Sequence, residues 1–245
     1  MNHKTDWVQA VKKITNSNYL DFIGVALVLV VSLILNYHNT TYNFTWNKNS
    51  YVFPLGYVSI LSTCFSMTAT RFVTKKNNLG NLIHTFNTMV AGTIDFLLGN
   101  LGALLTYPVS FFGNLFAYRI WKKKQYLNSI DAIFYRNMVL GMLLSLVLNF
   151  IGFKYFSEGS INWQLFFAIA IPAGISFGGT FNVGRMYPDN WFTWQLYNLA
   201  KIIQNILMLN YANTAKYVFY LVNASLGYIS WRDDKIVQDR NKATA

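Results

Sequence analysis

Cysteine, histidine and acidic residues are all scarce in this chain. The single cysteine, Cys64, lies inside an apolar stretch, which excludes a disulfide framework and any CxxC or Cys/His metal motif. Three histidines, His3, His38 and His84, are too scattered to suggest a zinc site. Asp and Glu together number 9 against 20 Lys and Arg, so the set of buried carboxylates that many proton-coupled carriers use is missing. There is no Walker motif either, so the chain does not hydrolyse ATP itself. What abounds is apolar and aromatic surface. At 53% hydrophobic, 18% aromatic and only 12% charged, the composition is far from that of a soluble domain and describes an integral membrane protein.

A span of about 30 Å of hydrocarbon takes roughly 20 apolar residues. Eight stretches meet that need: 20–37, 51–70, 81–98, 101–121, 136–156, 161–181, 190–209 and 212–231. No small-residue cleavage pattern follows the first, so it is expected as a retained helix rather than a signal peptide. The least distinct boundary is the LGNLG run at 98–102, between the third and fourth stretches. Charge supports the count. With both termini cytoplasmic, 16 of the 20 basic residues fall inside, among them Lys4, Lys12, Arg71, Lys75, Lys76, Lys122, Lys123, Lys124 and Arg185. Lys48 and Lys154 lie outside, Lys201 and Lys216 within spans, and shifting the parity by one helix destroys the alternation. Basic residues spaced by bilayer crossings also argue against a nucleic-acid surface, which needs them on one face.

The sequence partly repeats itself. Tyr107, Tyr118 and Trp121 of YPVSFFGNLFAYRIW match Tyr217, Tyr228 and Trp231 of YVFYLVNASLGYISW at a constant offset of 110 residues. Tyr and Trp also mark membrane interfaces generally, so the paired YxxW endings alone leave both readings open. Topology adds a constraint. Two three-helix units of the same orientation need one helix between them, because three crossings leave the chain on the wrong side. The expected organisation is therefore a cytoplasmic segment (1–19), an additional transmembrane helix (20–37), a first three-helix repeat (51–121), a linker helix (136–156), a second repeat (161–231) and a cytoplasmic tail (232–245). Parallel repeats of this kind occur in SWEET-type transporters, where substrate binds between the halves near the midplane. The predicted fold class is all-α, with eight transmembrane helices.

The stretch WFTWQLYNLAKIIQN (191–205) carries a polar stripe through the seventh span. At about 100° per residue, Trp191, Trp194, Gln195, Asn198, Lys201 and Asn205 fall on one broad face, with Tyr197 and Gln204 pointing elsewhere. Lys201 lies about 16 Å along the helix, close to the bilayer centre. A lysine facing lipid there costs about 2.5–3.5 kcal/mol, so the stripe is expected to line a hydrated, protein-walled cavity. Asn223 and Tyr220 in the eighth span and Asn114 in the fourth reach similar depth. Asp95, the one acid well inside a span, could form an ion pair with Lys201, either structural or ligand-contacting. The asparagines have the same two readings, as glue between helices or as ligand contacts. Aromatic walls with amide edges suit a flat heterocycle bearing hydroxyls. Phosphate is less suited, since no arginine is expected deep within a span.

The W-x-x-W-x-x-Y-N run of Trp191, Trp194, Tyr197 and Asn198, with the N-x-x-x-G-Y-x-x-W of Asn223, Gly227, Tyr228 and Trp231, resembles the PnuC family of vitamin transporters from about residue 50 onward. That resemblance implies a 3+1+3 core in a bacterial cytoplasmic membrane and a homotrimer. It also implies facilitated diffusion of nicotinamide riboside, trapped inside by a separate riboside kinase, with no cofactor, metal or catalytic residue. Relatives that carry thiamine, riboflavin or deoxynucleosides leave the substrate open within that class. A membrane-embedded enzyme is the main alternative, but the loops offer it only Asp131, Asp189 and the Asp233/Asp234 pair. A non-transporting sensor or scaffold is the third possibility.

Overall fold

The computed structural model describes residues 3–123, 126–157, 160–207 and 211–244; Lys124 and the last residues of the seventh stretch, 208–209, lie outside these. Nine α-helices are described: α1 (His3–Thr15), α2 (Asn18–Ile34), α3 (Leu55–Thr74), α4 (Leu79–Leu97), α5 (Ala103–Lys123), α6 (Ala132–Phe156), α7 (Trp163–Val183), α8 (Asn190–Leu207) and α9 (Tyr211–Ala243). Each of the eight apolar stretches corresponds to one helix, α2 to α9. The LGNLG run is a tight turn in which Gly99 takes φ +95°, a left-handed conformation that side chains avoid, so α4 and α5 are separate, packed helices.

Several expectations of extent need correcting, and one short hairpin is added to the all-α fold: β1 (Tyr42–Trp46) and β2 (Asn49–Phe53) pair antiparallel between α2 and α3. Asn47 and Lys48 both take positive φ, the geometry of a two-residue hairpin turn, and Pro54 ends the second strand. The second stretch therefore starts its helix at Leu55 rather than at 51 and runs on to Thr74, because residues 51–53 are strand. That extension takes in Arg71, which is not a loop residue but a wholly buried one. At the other end, residues 232–243 of the expected tail are helical and continue α9, a 33-residue helix. Residues 3–15 likewise form a helix, α1, which packs along α9.

By length and composition alone, only α6 and α7 among the described helices qualify to cross a bilayer, with α1 and α2, joined at a 54° bend, qualifying as a pair. The others fall short because their polar residues face inward. On α8 the inward set is Trp191, Asn198, Lys201, Gln204 and Asn205, all buried, whereas Phe192, Leu196, Leu199 and Ile203 are exposed. A helix that hides its amides and shows its leucines is the inverse of a soluble amphipathic helix. It belongs in lipid, where apolar exposure costs nothing and polar groups must find partners inside.

Two triples pack in chain order, α3–α4–α5 and α7–α8–α9. They meet where α5 touches α7 and where α3 touches α9, while α6 packs against α7 and α5. The two tryptophans at the ends of the repeated motifs clasp this junction reciprocally. Trp121 Nε1 of α5 donates to the carbonyl of Val183 at the end of α7, and Trp231 Nε1 of α9 donates to that of Thr74 at the end of α3, each at 2.8 Å. Both indoles are buried, so neither is an interfacial marker.

Candidate functional site

Between the triples lies a cavity of about 230 Å³. All six of their helices contribute to its wall, whereas α1, α2 and α6 contribute no residue. Its α8 side is fixed from below: Asn190 donates to the Gly179 carbonyl of α7 at 2.9 Å and sets the start of the helix against its neighbour.

Of the residues singled out in the sequence, Trp191, Trp194, Asn198, Asn205, Tyr220, Asn223, Asn114, Asp95 and Lys201 all line the cavity. Gln195 does not; it turns to the outer side and donates to Ser225 Oγ at 3.0 Å. Tyr197 and Gln204, expected to point away, are part of the wall. One rotation accounts for all three. The lining arc is centred on Trp194, Lys201 and Asn205, so at about 100° per residue Tyr197 and Gln204 come in on one flank while Gln195 passes out beyond Trp191 on the other.

Aromatic rings build one side. Trp194, Tyr197, Tyr217 and Tyr220 form a ladder of edge-to-face contacts with centroid separations of 5.7, 6.0 and 5.9 Å across α8 and α9. Trp191 sits lower, edge-to-face on Trp231 at 5.4 Å, with its indole N–H buried and without a partner. Its ring rests on Gly227, where a Cβ would come within 2.7 Å. Gly227→Val therefore drives the Trp191 ring from its seat and is expected to lower thermal stability in detergent, since overpacking costs about 1–3 kcal/mol; an unchanged melting temperature would show that the ring relocates freely.

Amides and hydroxyls build the other side, and most are already engaged. Asn87 donates to the Ser62 carbonyl and accepts from Ser62 Oγ, both at 3.0 Å. Asn114 donates to Thr88 Oγ1 at 3.2 Å, and Asn205 to the Lys201 carbonyl at 2.7 Å. Tyr220 and Ser66 share a hydroxyl–hydroxyl bond of 3.0 Å. Both ends of Asn223 are taken: Oδ1 accepts from Arg71 at 2.6 Å and Nδ2 donates to Thr74 Oγ1 at 2.9 Å. Asn198 differs. It is 3% exposed, and among the described residues its carboxamide makes no hydrogen bond. A buried amide facing a cavity with its donors and acceptor free is poised for a ligand.

Charge collects at one end. Lys201 Nζ stands 3.8 Å from Asp95 Oδ2, to which Tyr107 also donates. Lys216, 9% exposed, has no carboxylate within ion-pair distance among the described residues and lies over the Tyr217 ring at 4.5 Å from its centroid. Tyr107 and Lys216 were missed as site residues. The 110-residue offset that aligns Tyr107 with Tyr217 is the signal that could have found the first.

Comparison with known proteins agrees with this architecture. No curated protein matches the sequence. Among solved structures, one titled "Crystal structure of the Vitamin B3 transporter PnuC" superposes with a TM-score of 0.64 at 11% identity, covering 89% of this chain and 92% of that one. The family described as "Nicotinamide mononucleotide transporter" matches residues 56–233, from the start of α3 into the extension of α9. That stretch holds every helix of the cavity, and the chain accordingly belongs to the nicotinamide mononucleotide transporter family, as a multi-pass membrane transporter with the PnuC fold.

Proposed function

We propose that this protein carries nicotinamide riboside across a bacterial cytoplasmic membrane by facilitated diffusion, and that a separate cytoplasmic kinase then phosphorylates the riboside and traps it. The observation that carries the reading is the Asn198 carboxamide, without a hydrogen bond among the described residues, beside the Trp194–Tyr197 ladder on the cavity wall. In this arrangement the pyridinium ring stacks against Trp194 with cation–π attraction, while Asn198 bonds the ligand's carboxamide or ribose. Trp191 closes the floor, and Asn205, Tyr220 and Asn114 complete the wall.

The supporting architecture is one of eight crossings in a 1+3+1+3 order with both termini cytoplasmic. Two parallel repeats are favoured by the constant 110-residue offset, by the reciprocal tryptophan bonds, and by a cavity that takes residues from the six repeat helices and none from α2 or α6. The assembly is a homotrimer, on the family resemblance.

Reconstituted vesicles loaded with a riboside kinase and ATP are expected to accumulate labelled nicotinamide riboside, whereas vesicles without kinase equilibrate and stop. Thiamine, riboflavin and deoxynucleosides tested beside it should enter more slowly. Accumulation without kinase, or faster entry of any of the other three, would discard this reading. Chemical conversion of the riboside by the purified protein alone would favour an enzyme instead.

A further inference from the structure

Arg71 is the least exposed charge among the described residues, at 0%, and is not one of the residues lining the cavity. Its donors go in two directions. Nε donates to Asp21 Oδ1 at 2.6 Å, and Nη2 donates to the carbonyls of Thr15 and Ser17, at the elbow between α1 and α2. Nη1 donates to Asn223 Oδ1 at 2.6 Å, on the cavity wall. The Asn223 amide passes the link on to Thr74, whose carbonyl accepts from Trp231. A guanidinium buried this completely needs its counter-charge and most of its donors satisfied. Asp21 supplies the charge, and its second oxygen accepts from Lys75 at 2.6 Å. α1 is held against α9 as well, by Lys12 on Asp233 and Asp234, and Asp234 also pairs with Lys76 beyond the end of α3. Asp21, Thr15 and Ser17 all precede residue 56, where the family match begins.

We infer that Arg71 is a positioning residue through which the N-terminal elbow, lying before the family's own stretch, sets the placement of Asn223 and hence of α9 along the cavity. Asp21 anchors the guanidinium on one side, and the guanidinium fixes the carboxamide on the other. With the Asp21 charge removed, Arg71 turns toward other acceptors or water and releases Asn223 Oδ1. Asn223 then either rotates into the cavity or lets α9 slide. An acid outside the cavity thus controls the affinity inside it.

The transport readout rests on the riboside reading above; the labelling readout below does not. In full-length reconstituted protein, Asp21→Asn is expected to raise the KM for riboside uptake about tenfold while Vmax stays within about twofold. Adding Asn223→Ala to Asp21→Asn should then cost nothing more, since both act through one link. Lys75→Met, which also loses a contact with Asp21 but leaves Arg71 paired, should keep the wild-type KM, and Asp21→Glu should recover part of it. An unchanged KM in Asp21→Asn, losses that multiply in the double variant, or a Lys75→Met that behaves like Asp21→Asn each overturn the inference. If Asp21→Asn does not fold, Asp21→Glu is judged by a smaller rise in KM, about threefold, and a wild-type KM in that variant overturns the inference. Should the wild type neither bind nor carry the riboside, the substrate reading falls and Arg71 is judged by maleimide labelling of Ala224→Cys in a Cys64→Ser background. Labelling about fivefold faster with Asp21→Asn upholds the link, and an unchanged rate rejects it.

Discussion

With nicotinamide riboside as the proposed substrate, replacing Asn198 with alanine is expected to raise its dissociation constant by about 10- to 100-fold and to leave the helical fold intact. The two halves of that expectation come from the same fact. Among the described residues the Asn198 carboxamide has no hydrogen bond, so the unliganded protein loses no internal partner when it is removed. The bound ligand does lose one, in a site where a buried polar group left unmatched costs about 1–3 kcal/mol. Asn87 or Asn114 to alanine would behave differently, because each strips a partner from a neighbouring helix and should cost stability as well as binding. Calorimetric titration of purified Asn198→Ala, alongside its melting temperature, separates the two. Wild-type affinity in a well-folded variant would remove Asn198 from the site; loss of folding would make it one more interhelical contact.

The second large effect is on stability and centres on Asp95. This carboxylate faces Lys201 at 3.8 Å, with Lys216 lining the same cavity, so one negative charge serves two buried cations. Asp95→Asn leaves both lysines without a counter-charge, and breaking a buried pair from one side costs about 3–5 kcal/mol. It is expected to destabilise the protein by that amount in detergent, and Lys201→Met on the same background should restore most of the loss by removing the orphaned ammonium. A stable Asp95→Asn would mean that water in the cavity already solvates the lysines and that the pair contributes little.

How far the residues alone led varies by element. The helices were legible because lipid imposes a length on every apolar stretch, and the charge alternation gave them an expected parity. Where hydropathy failed, the cause was local chemistry. Residues 51–53 read as the start of a span, but the left-handed Asn47 and Lys48 turn them back into a hairpin. Arg71 read as a loop residue because a cation is assumed to seek water; its partners, Asp21 and two backbone carbonyls, are 50 and more residues away in sequence and could not be seen. On α8 the stripe was evident and its orientation was not. A helical wheel fixes relative angles, but the rotation that brings Tyr197 and Gln204 in and puts Gln195 out is set by neighbours. The engagement of Asn223 was invisible for the same reason, since an asparagine in a span looks alike whether it waits for a ligand or is already tied at both ends.

The crossed indole bonds make the protein a latch with two catches. Each catch is mounted on one triple and hooks the last carbonyl of the other triple's first helix, and the two rings lie 6.0 Å apart. Prising open that end of the molecule strands two donors and two acceptors together, at about 1–3 kcal/mol for each group left unmatched. Because both bonds join the same two triples, separating the triples at this end breaks the two together.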